Sequence, residues 1–316
     1  MATTMVPPPN LLPDVLPTER LTTGGKPVPD LRTALRRIPD GRNMLTVGAC
    51  WGQALAVVAL AVWWSSPIGW MAAFLLMARV FACFNILAHE AAHRLLFSNK
   101  RLNDWVGRWV LGYPAFVVTD LYRRGHMAHH RDEFGPDEPD MNLYEGYPIQ
   151  RSSFRRKLTR DALGVSGAKN LQGLLRGLRY PDPRVRQHAR RVIAAQLLLV
   201  ALAWAAGRPE LWLFLWFAPW MTGWRVSNRL RAVAEHGGMT RSSDRRLTTH
   251  HVRQSPFARF WIVPYNTGWH LAHHVDPGVP FRQLPALHRL LVDEGWIVPD
   301  LVYPNYLALW RRLASG

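Results

Sequence analysis

The sequence predicts an all-α integral membrane protein with four transmembrane helices arranged in two hairpins. The segment from Asn43 to Ala88 contains a single charged residue, and the segment from Val192 to Trp224 contains only two. The whole chain carries 39 Lys and Arg against 22 Asp and Glu, a net charge of +17, and nearly all of these residues lie outside the two apolar segments. An apolar content of 48% that includes 15 Trp excludes a disordered chain.

Each apolar segment divides into two predicted spans at a short turn. The first hairpin has spans at 44–64 and 68–88, and the second has spans at 192–206 and 211–224. Crossing a hydrocarbon core of about 30 Å takes about 20 apolar residues, so the spans of the second hairpin are short unless flanking arginines snorkel. The hairpin turns carry few basic residues, which predicts that both termini and the 94–191 segment are cytoplasmic.

The segments outside the apolar spans indicate how the chain is divided into domains. Residues 1–42 are rich in proline and are expected to form a flexible tail rather than a signal peptide. A membrane domain is predicted over 43–290 and a C-terminal cytoplasmic segment over 291–316. Cys50 and Cys83 exclude a disulfide framework or a four-cysteine site, so any metal is held by nitrogen and oxygen. No nucleic-acid motif accompanies the basic charge. Such a charge is instead typical of segments that lie beside an anionic membrane leaflet.

Eight of the 13 histidines fall into three motifs with the spacing of metal ligands. The first motif reads HEAAH, the second HMAHH and the third HLAHH, beginning at His89, His126 and His270. On a helix, positions i, i+3 and i+4 share one face, so each motif can direct its imidazoles to one point. Imidazole is a common ligand for iron, zinc and copper. Eight nitrogen atoms exceed the coordination number of one ion, so the sequence predicts two metal ions.

In order and spacing, these motifs resemble the HxxxH, HxxHH and HxxHH boxes of membrane fatty acid desaturases. The resemblance extends over about residues 44–290, and the segment 264–285 is similar to the surroundings of the third box in bacterial members. It implies a four-helix membrane scaffold with a helical cytoplasmic cap that holds a non-haem di-iron site. His236 matches an additional ligand of the family, and Ala232 stands where some members have a water-bridging asparagine.

The resemblance therefore implies a set of iron ligands. They are His89, His93, His126, His129, His130, His236, His270, His273 and His274. Three polar residues next to ligands, Glu90, Glu235 and Asn266, are candidates for hydrogen bonds that orient those ligands. Two further histidines, His250 and His251, lie in a polar run and are expected at the surface.

The activity implied by the resemblance is that of an O2-dependent lipid oxidoreductase that introduces a double bond into a fatty-acyl chain. No side chain removes hydrogen from an unactivated C–H bond, so this chemistry requires the metal ions and O2. The expected substrate is a fatty-acyl lipid or acyl thioester. Because the tails contain no haem-binding domain, cysteine cluster or flavin fingerprint, a separate ferredoxin- or flavoprotein-type electron donor is expected. The expected location is the bacterial inner membrane, with the active site in the cytoplasm.

Alternative functions follow from the same motifs. A lipid hydroxylase or ketolase on this scaffold would use the same boxes. The HEAAH motif also fits the HExxH pattern of an intramembrane zinc metalloprotease, but that assignment leaves both HxxHH motifs unexplained. A metal transporter would place histidines inside the spans, and the predicted spans contain none.

Overall fold

Residues 4–316 are described by the structure, which is a computed structural model, and they divide into two units. The histidine unit contains residues 4–38, Arg123–Arg155 and Arg229–Gly316, and the apolar unit contains Pro39–Tyr122 and Arg156–Asn228. The predicted division into a tail, a domain over 43–290 and a C-terminal segment stays a prediction from the sequence. Both predicted end segments contribute to the histidine unit.

The apolar unit contains the long apolar helices. Among residues 4–316, three helical stretches are long and apolar enough to cross a membrane: Pro29–Trp63, of which the regular helix Asp40–Trp63 lies in this unit, then Pro67–Ala92 and Pro183–Ala205. The helical fold class is therefore confirmed. The segments predicted as spans 44–64 and 68–88 both lie in helices long enough to cross a membrane. Shorter elements of this unit are Lys100–Trp105, the π-helix Val106–Gly112 and Val165–Gly177.

The predicted fourth span is not one regular helix. Over residues 211–224 the chain forms Glu210–Trp212, the π-helix Leu213–Phe217 and Ala218–Met221 in succession. A proline at position 219 cannot donate a backbone hydrogen bond, and π-turns accommodate such breaks in the helical ladder. Thr222 then leaves the helical region, with φ −126° and ψ −81°, before the next helix begins at Gly223.

Aromatic rings form the core of the apolar unit. Trp216 of the π-helix lies 5.0 Å from Phe81 and 5.8 Å from Trp51, measured between ring centroids. Trp216 donates its indole N–H to the carbonyl oxygen of Pro114 at 2.9 Å, and Trp51 donates to that of Val110 at 3.0 Å. Arg79, the charged residue inside the second predicted span, donates to the side-chain oxygen of Gln53. This polar contact compensates a charge that would otherwise be costly within an apolar helix.

Short elements build the histidine unit. Its helices and 3-10 turns include Pro9–Leu11, Pro29–Leu35, Met141–Tyr144, Arg245–Leu247, Pro256–Trp261, His270–Val275, Leu284–Asp293, Pro299–Leu301 and Tyr306–Leu313. Among residues 4–316 the only sheet is a parallel pair of two-residue strands, His251–Val252 and Val302–Tyr303. The chain passes from one unit to the other at four points, between Ile38 and Pro39 and within the helices Thr119–Arg131, Arg151–Ala162 and Gly223–His236.

The N-terminal segment is fixed to the third histidine motif by an ion pair. Asp276, two residues beyond that motif, is completely buried, and Arg32 and Arg36 reach its carboxylate at 2.7 and 2.5 Å. Gly278 permits this approach, because a Cβ there would lie 2.5 Å from the Arg36 guanidinium. Leu21 is also fully buried. In this structure the N-terminal segment therefore packs against the third motif through Arg32 and Arg36, and residues 1–3 lie outside the described residues.

Replacing both Arg32 and Arg36 with alanine is expected to destabilise the histidine unit. Burial alone would raise the pKa of Asp276, but hydrogen bonds from the two arginines outweigh it and lower that pKa, so the carboxylate is ionised. Without its partners this buried charge costs up to about 3 kcal/mol, given that the arginines are partly exposed. The melting temperature in detergent measures the effect, and Arg37→Ala on the same segment is the control. Equal melting temperatures for both variants would contradict the assigned role.

Candidate metal centre

The second histidine motif lies near the end of the helix Thr119–Arg131. Its i, i+3, i+4 spacing puts His126, His129 and His130 on one side of the helix, and all three side chains are buried. Phe134 follows with a positive φ of 59°, a left-handed conformation that turns the chain back. The returning segment carries Glu138, whose carboxylate lies against His129.

The third motif forms the short helix His270–Val275, in which every residue is buried. Tyr265 and Asn266 precede it with φ values of 56° and 62°. Left-handed conformations at two successive non-glycine residues are strained and persist only where the surrounding structure enforces them. The resulting turn directs the helix so that its three histidines face those of the second motif.

Cluster A consists of His126, His130 and His273. The Nε2 atom of His130 lies 3.0 Å from Nε2 of His126 and 3.0 Å from Nε2 of His273. One nitrogen from each of the three residues lies within 4.8 Å of the others. The cluster therefore joins the second and third motifs, which are separated by more than 130 residues of sequence.

Cluster B consists of His129, His236, His270 and His274. The Nε2 atom of His270 lies 3.0 Å from Nε2 of His236 and 3.0 Å from Nε2 of His274. Nitrogen atoms of His129, His236 and His274 lie within 4.8 Å of one another. His236, at the end of the helix Gly223–His236, is thereby brought to both motifs.

The spacing of these nitrogen atoms fits metal coordination. An imidazole nitrogen offers one lone pair or one N–H in the ring plane, yet Nε2 of His130 and of His270 each has two nitrogen neighbours at 3.0 Å. Two nitrogens bound at right angles to one ion at ~2.1 Å would lie ~3.0 Å apart. Clusters A and B can therefore each hold a metal ion.

The outer nitrogens of the cluster B histidines face acceptors. The Nδ1 atom of His129 lies 3.0 Å from both carboxylate oxygens of Glu138, and Nδ1 of His236 lies 2.9 Å from the carbonyl oxygen of Thr248. Nδ1 of His274 makes a short contact with Glu133. An acceptor at Nδ1 places the proton there and leaves the Nε2 lone pair directed inward, which is the arrangement a metal requires.

Burial determines the charge of these groups. It holds the pKa values of His236, His270 and His274 well below the ordinary value, with further lowering from neighbouring histidines, so these imidazoles are neutral. For His129, burial acts in the same direction, but the hydrogen bond and the charge of Glu138 outweigh it and raise the pKa. Neutral imidazole is the form that binds a metal ion.

The candidate orienting residues have different surroundings. Glu235 lies 3.4 Å from Nδ1 of His270 and also accepts a hydrogen bond from Arg231 at 2.7 Å. Asn266 instead donates to the carbonyl oxygen of Phe281 at 3.3 Å. Glu90 lies in the apolar unit and is buried there.

The first histidine motif also belongs to the apolar unit. His89 lies in the last turn of the helix Pro67–Ala92, and His93 is the capping residue that follows it. Their ring centroids are 4.7 Å apart, as the i, i+4 spacing predicts. Participation of these two residues in metal binding stays a prediction from the sequence.

Two carboxylates that contact the histidines were missed by the sequence reasoning. Glu133 is 1% exposed and bound by Arg245 at 2.8 Å, and Glu138 has no exposed side-chain surface. Both lie in the acidic run that directly follows the second motif. This run was the sequence feature that could have indicated them. Such a run usually indicates a solvated loop, and only the fold reveals that its acids turn inward.

The expectation that His250 and His251 lie at the surface is wrong. His250 is 5% exposed and His251 is 4% exposed. The Nε2 atom of His250 lies 2.7 Å from the carbonyl oxygen of Gly237, whereas the ring of His251 stacks on that of His288. The polar residues around them in the sequence hid the fact that the strand His251–Val252 pairs inside the unit.

Comparison with known proteins identifies the family. The family model for fatty acid desaturases matches residues 61–303, so the chain belongs to that family. It is 25% identical over 273 residues to dihydrorhizobitoxine desaturase of Bradyrhizobium elkanii, covering 81% of this chain and 75% of that protein. It is 29% identical over 89 residues to sn-1 oleoyl-lipid 12-desaturase of Arthrospira platensis, covering 28% of this chain and 23% of that protein. The protein is therefore an oxidoreductase of a membrane desaturase family.

Substitution of the buried carboxylates tests their role in orienting the histidines. Glu133→Ala and Glu138→Ala are each expected to weaken metal retention by about 10–100-fold, because the imidazole loses the acceptor that fixes its orientation. Metal content after dialysis against a graded series of chelator concentrations measures the effect. Glu145→Ala, an exposed acid of the same segment, is the control. Retention equal to that of this control in both variants would contradict the assignment.

Proposed function

We propose that this protein is an O2-dependent di-iron desaturase that introduces a double bond into a fatty-acyl chain. In this reaction the acyl chain loses two hydrogen atoms. One O2 is reduced to two water molecules, with two electrons from a donor protein and two protons from solvent. Membership of the desaturase family supports the reaction type, and two clusters of imidazole nitrogens support the use of two metal ions.

One observation carries the proposal, namely the convergence of Nε2 atoms on two points in the histidine unit. We assign His126, His130 and His273 to one iron and His129, His236, His270 and His274 to the other. On the basis of motif order and family resemblance, we extend the ligand set to His89 and His93. An all-imidazole donor set suits iron and contains no thiolate that the oxidising chemistry would destroy.

The protein itself positions the ligands and controls the environment. When bound, the two irons supply the redox chemistry that activates O2 for removal of hydrogen from unactivated C–H bonds. Glu133, Glu138 and the Thr248 carbonyl hold the imidazole rings so that their Nε2 atoms face inward. The histidines of both clusters are no more than 9% exposed, which limits the access of bulk water.

Two alternatives differ in their support. Hydroxylation or ketolation would use the same histidines, but both curated relatives are named desaturases, which favours desaturation. The zinc metalloprotease is set aside, because the chain belongs to a family of oxidoreductases and a single zinc leaves one histidine cluster without a role.

For the substrate we propose a fatty-acyl lipid or acyl thioester. One relative is named for an oleoyl lipid and the other for dihydrorhizobitoxine, so the family accepts more than one substrate. The arginines beside the histidine motifs, including Arg123 and Arg124, suit an anionic head group.

The topology and electron supply complete the proposal. We propose four membrane crossings, with the irregular helical segment from Glu210 to Met221 as part of the fourth, in a bacterial inner membrane. The basic flanks indicate cytoplasmic termini and a cytoplasmic active site. A separate ferredoxin- or flavoprotein-type donor supplies the electrons, and the basic charge of the chain attracts an acidic partner.

Metal content tests the assignment of the ligands. The protein purified anaerobically in detergent is expected to contain about two irons per chain, since one ion accommodates no more than six ligands. His273→Ala and His129→Ala are expected to lose iron and activity together. His188→Ala is the control, because this histidine bonds to Tyr113 in the apolar unit. A fully active His273→Ala variant, or one zinc in place of iron, would contradict the proposal.

Lipid analysis tests the reaction. Expression in a bacterial host is expected to yield new mono-unsaturated acyl chains, because desaturation removes two hydrogens from a saturated segment. Mass spectrometry of total lipids with double-bond localisation detects them, and a host that expresses His129→Ala provides the baseline. A gain of one oxygen without a new double bond would instead identify a hydroxylase.

A further inference from the structure

Three nitrogen-containing aromatic rings stack beside the third histidine motif. The indole of Trp269 lies 4.1 Å from the imidazole of His288, with an interplanar angle of 12°. On the same imidazole, the ring of His251 stacks at 4.5 Å and 22°. Trp269 is bonded through its backbone to His270, a member of cluster B. The stack therefore ends one residue from a proposed iron ligand.

Packing alone does not account for the choice of these rings. The Nε1 atom of Trp269 and the Nδ1 atoms of His251 and His288 are buried and have no hydrogen-bond partner among residues 4–316. A buried polar group without a partner costs about 1–3 kcal/mol, and phenylalanine or leucine would fill the same space without that cost. Burial also lowers the pKa of His251 to about 3 and that of His288 to about 4, so both rings are neutral.

The middle ring of the stack, His288, reaches the surface. His288 lies on the helix Leu284–Asp293 and is partly exposed. Arg289 follows it and is exposed, and Arg253, two residues beyond His251, is exposed as well. The charge of Arg289 acts on His288 more strongly than the opposing charge of Asp293. The surface around the stack thus favours an acidic partner.

The proposed iron site needs such a route. Its histidines are buried, with exposed fractions of 2–9% in clusters A and B, so a donor protein cannot touch them. Electrons must therefore cross the protein matrix. Electronic coupling falls steeply across gaps and is stronger through bonded atoms and rings in van der Waals contact. The stacked rings and the Trp269–His270 peptide bond supply both kinds of contact.

We propose that electrons from a one-electron donor protein enter at His288 and pass through Trp269 to the metal centre. This inference rests on the proposed function and specifies its electron supply. For each double bond the donor is oxidised by two electrons in two single transfers. O2 is the final acceptor and takes two protons from solvent, and the rings themselves undergo no net change.

A photochemical experiment tests the route without knowledge of the natural donor. The full-length, iron-loaded protein carries Arg289→Cys, labelled with a ruthenium polypyridyl complex under anaerobic conditions. The native Cys50 and Cys83 have no exposed surface, which makes the label selective for the introduced thiol. A flash with a sacrificial reductant produces the reduced complex. Transient absorption then follows its decay as the electron moves to ferric iron.

The variants separate conduction from packing. Trp269→Leu is expected to slow the electron transfer by about an order of magnitude, whereas Trp269→Phe, which preserves a stacked ring, retains most of the rate. Phe257→Leu removes an exposed aromatic ring outside the stack and is expected to have no effect. When the label is attached through Glu145→Cys, elsewhere on the histidine unit, Trp269→Leu is expected to leave the rate of electron transfer unchanged. Iron content is measured in every variant.

The outcomes distinguish this inference from the proposed function. Equal electron-transfer rates in Trp269→Leu and in the labelled protein that retains Trp269 would overturn the route. Loss of iron from Trp269→Leu would also overturn it, because the stack would then be a structural support of the metal site. Rapid, Trp269-dependent reduction without any double-bond formation would instead overturn the desaturase proposal and leave the route intact.

Discussion

The buried clustering of imidazole nitrogens is the constraint on which the histidine unit depends. Polar atoms removed from water are costly unless they find partners, and here the inner nitrogens of seven histidines face one another at separations down to 3.0 Å. A positive ion at each point of convergence would bind the lone pairs of these nitrogen atoms. The outer nitrogens are satisfied differently, by carboxylates and a backbone carbonyl. Each ring thus needs a partner for its inner nitrogen and an acceptor for its outer nitrogen. The surrounding segments supply the acceptors for the outer nitrogens.

Those surrounding segments come from distant parts of the sequence. Asp276 secures the third motif to the N-terminal segment through Arg32 and Arg36, while Arg245 pairs with Glu133 behind the second motif. The histidine geometry is consequently a property of the whole unit rather than of any one helix. A stacked tryptophan directly before the third motif adds a contact between this buried geometry and the surface.

Much of the fold and of the candidate site follows from local periodicity. Helical spacing alone aligns His126, His129 and His130, and likewise His270, His273 and His274, because i, i+3 and i+4 share a face in any helix. Long apolar stretches with few charges predict the helices Asp40–Trp63 and Pro67–Ala92 in the same way, since their length and composition are read directly from the chain. These features need no information about distant contacts.

The sequence by itself determined the three histidine motifs, the long apolar helices and the family. Only the tertiary structure decided that residues 4–38 are packed, that His250 and His251 are buried, and that Glu133 and Glu138 turn toward histidines. It also decided that residues 211–224 form an irregular helical segment rather than one regular helix. The physical reason is that burial and pairing depend on which distant segments meet, and a proline-rich or acidic stretch has the same composition whether it is packed or solvated.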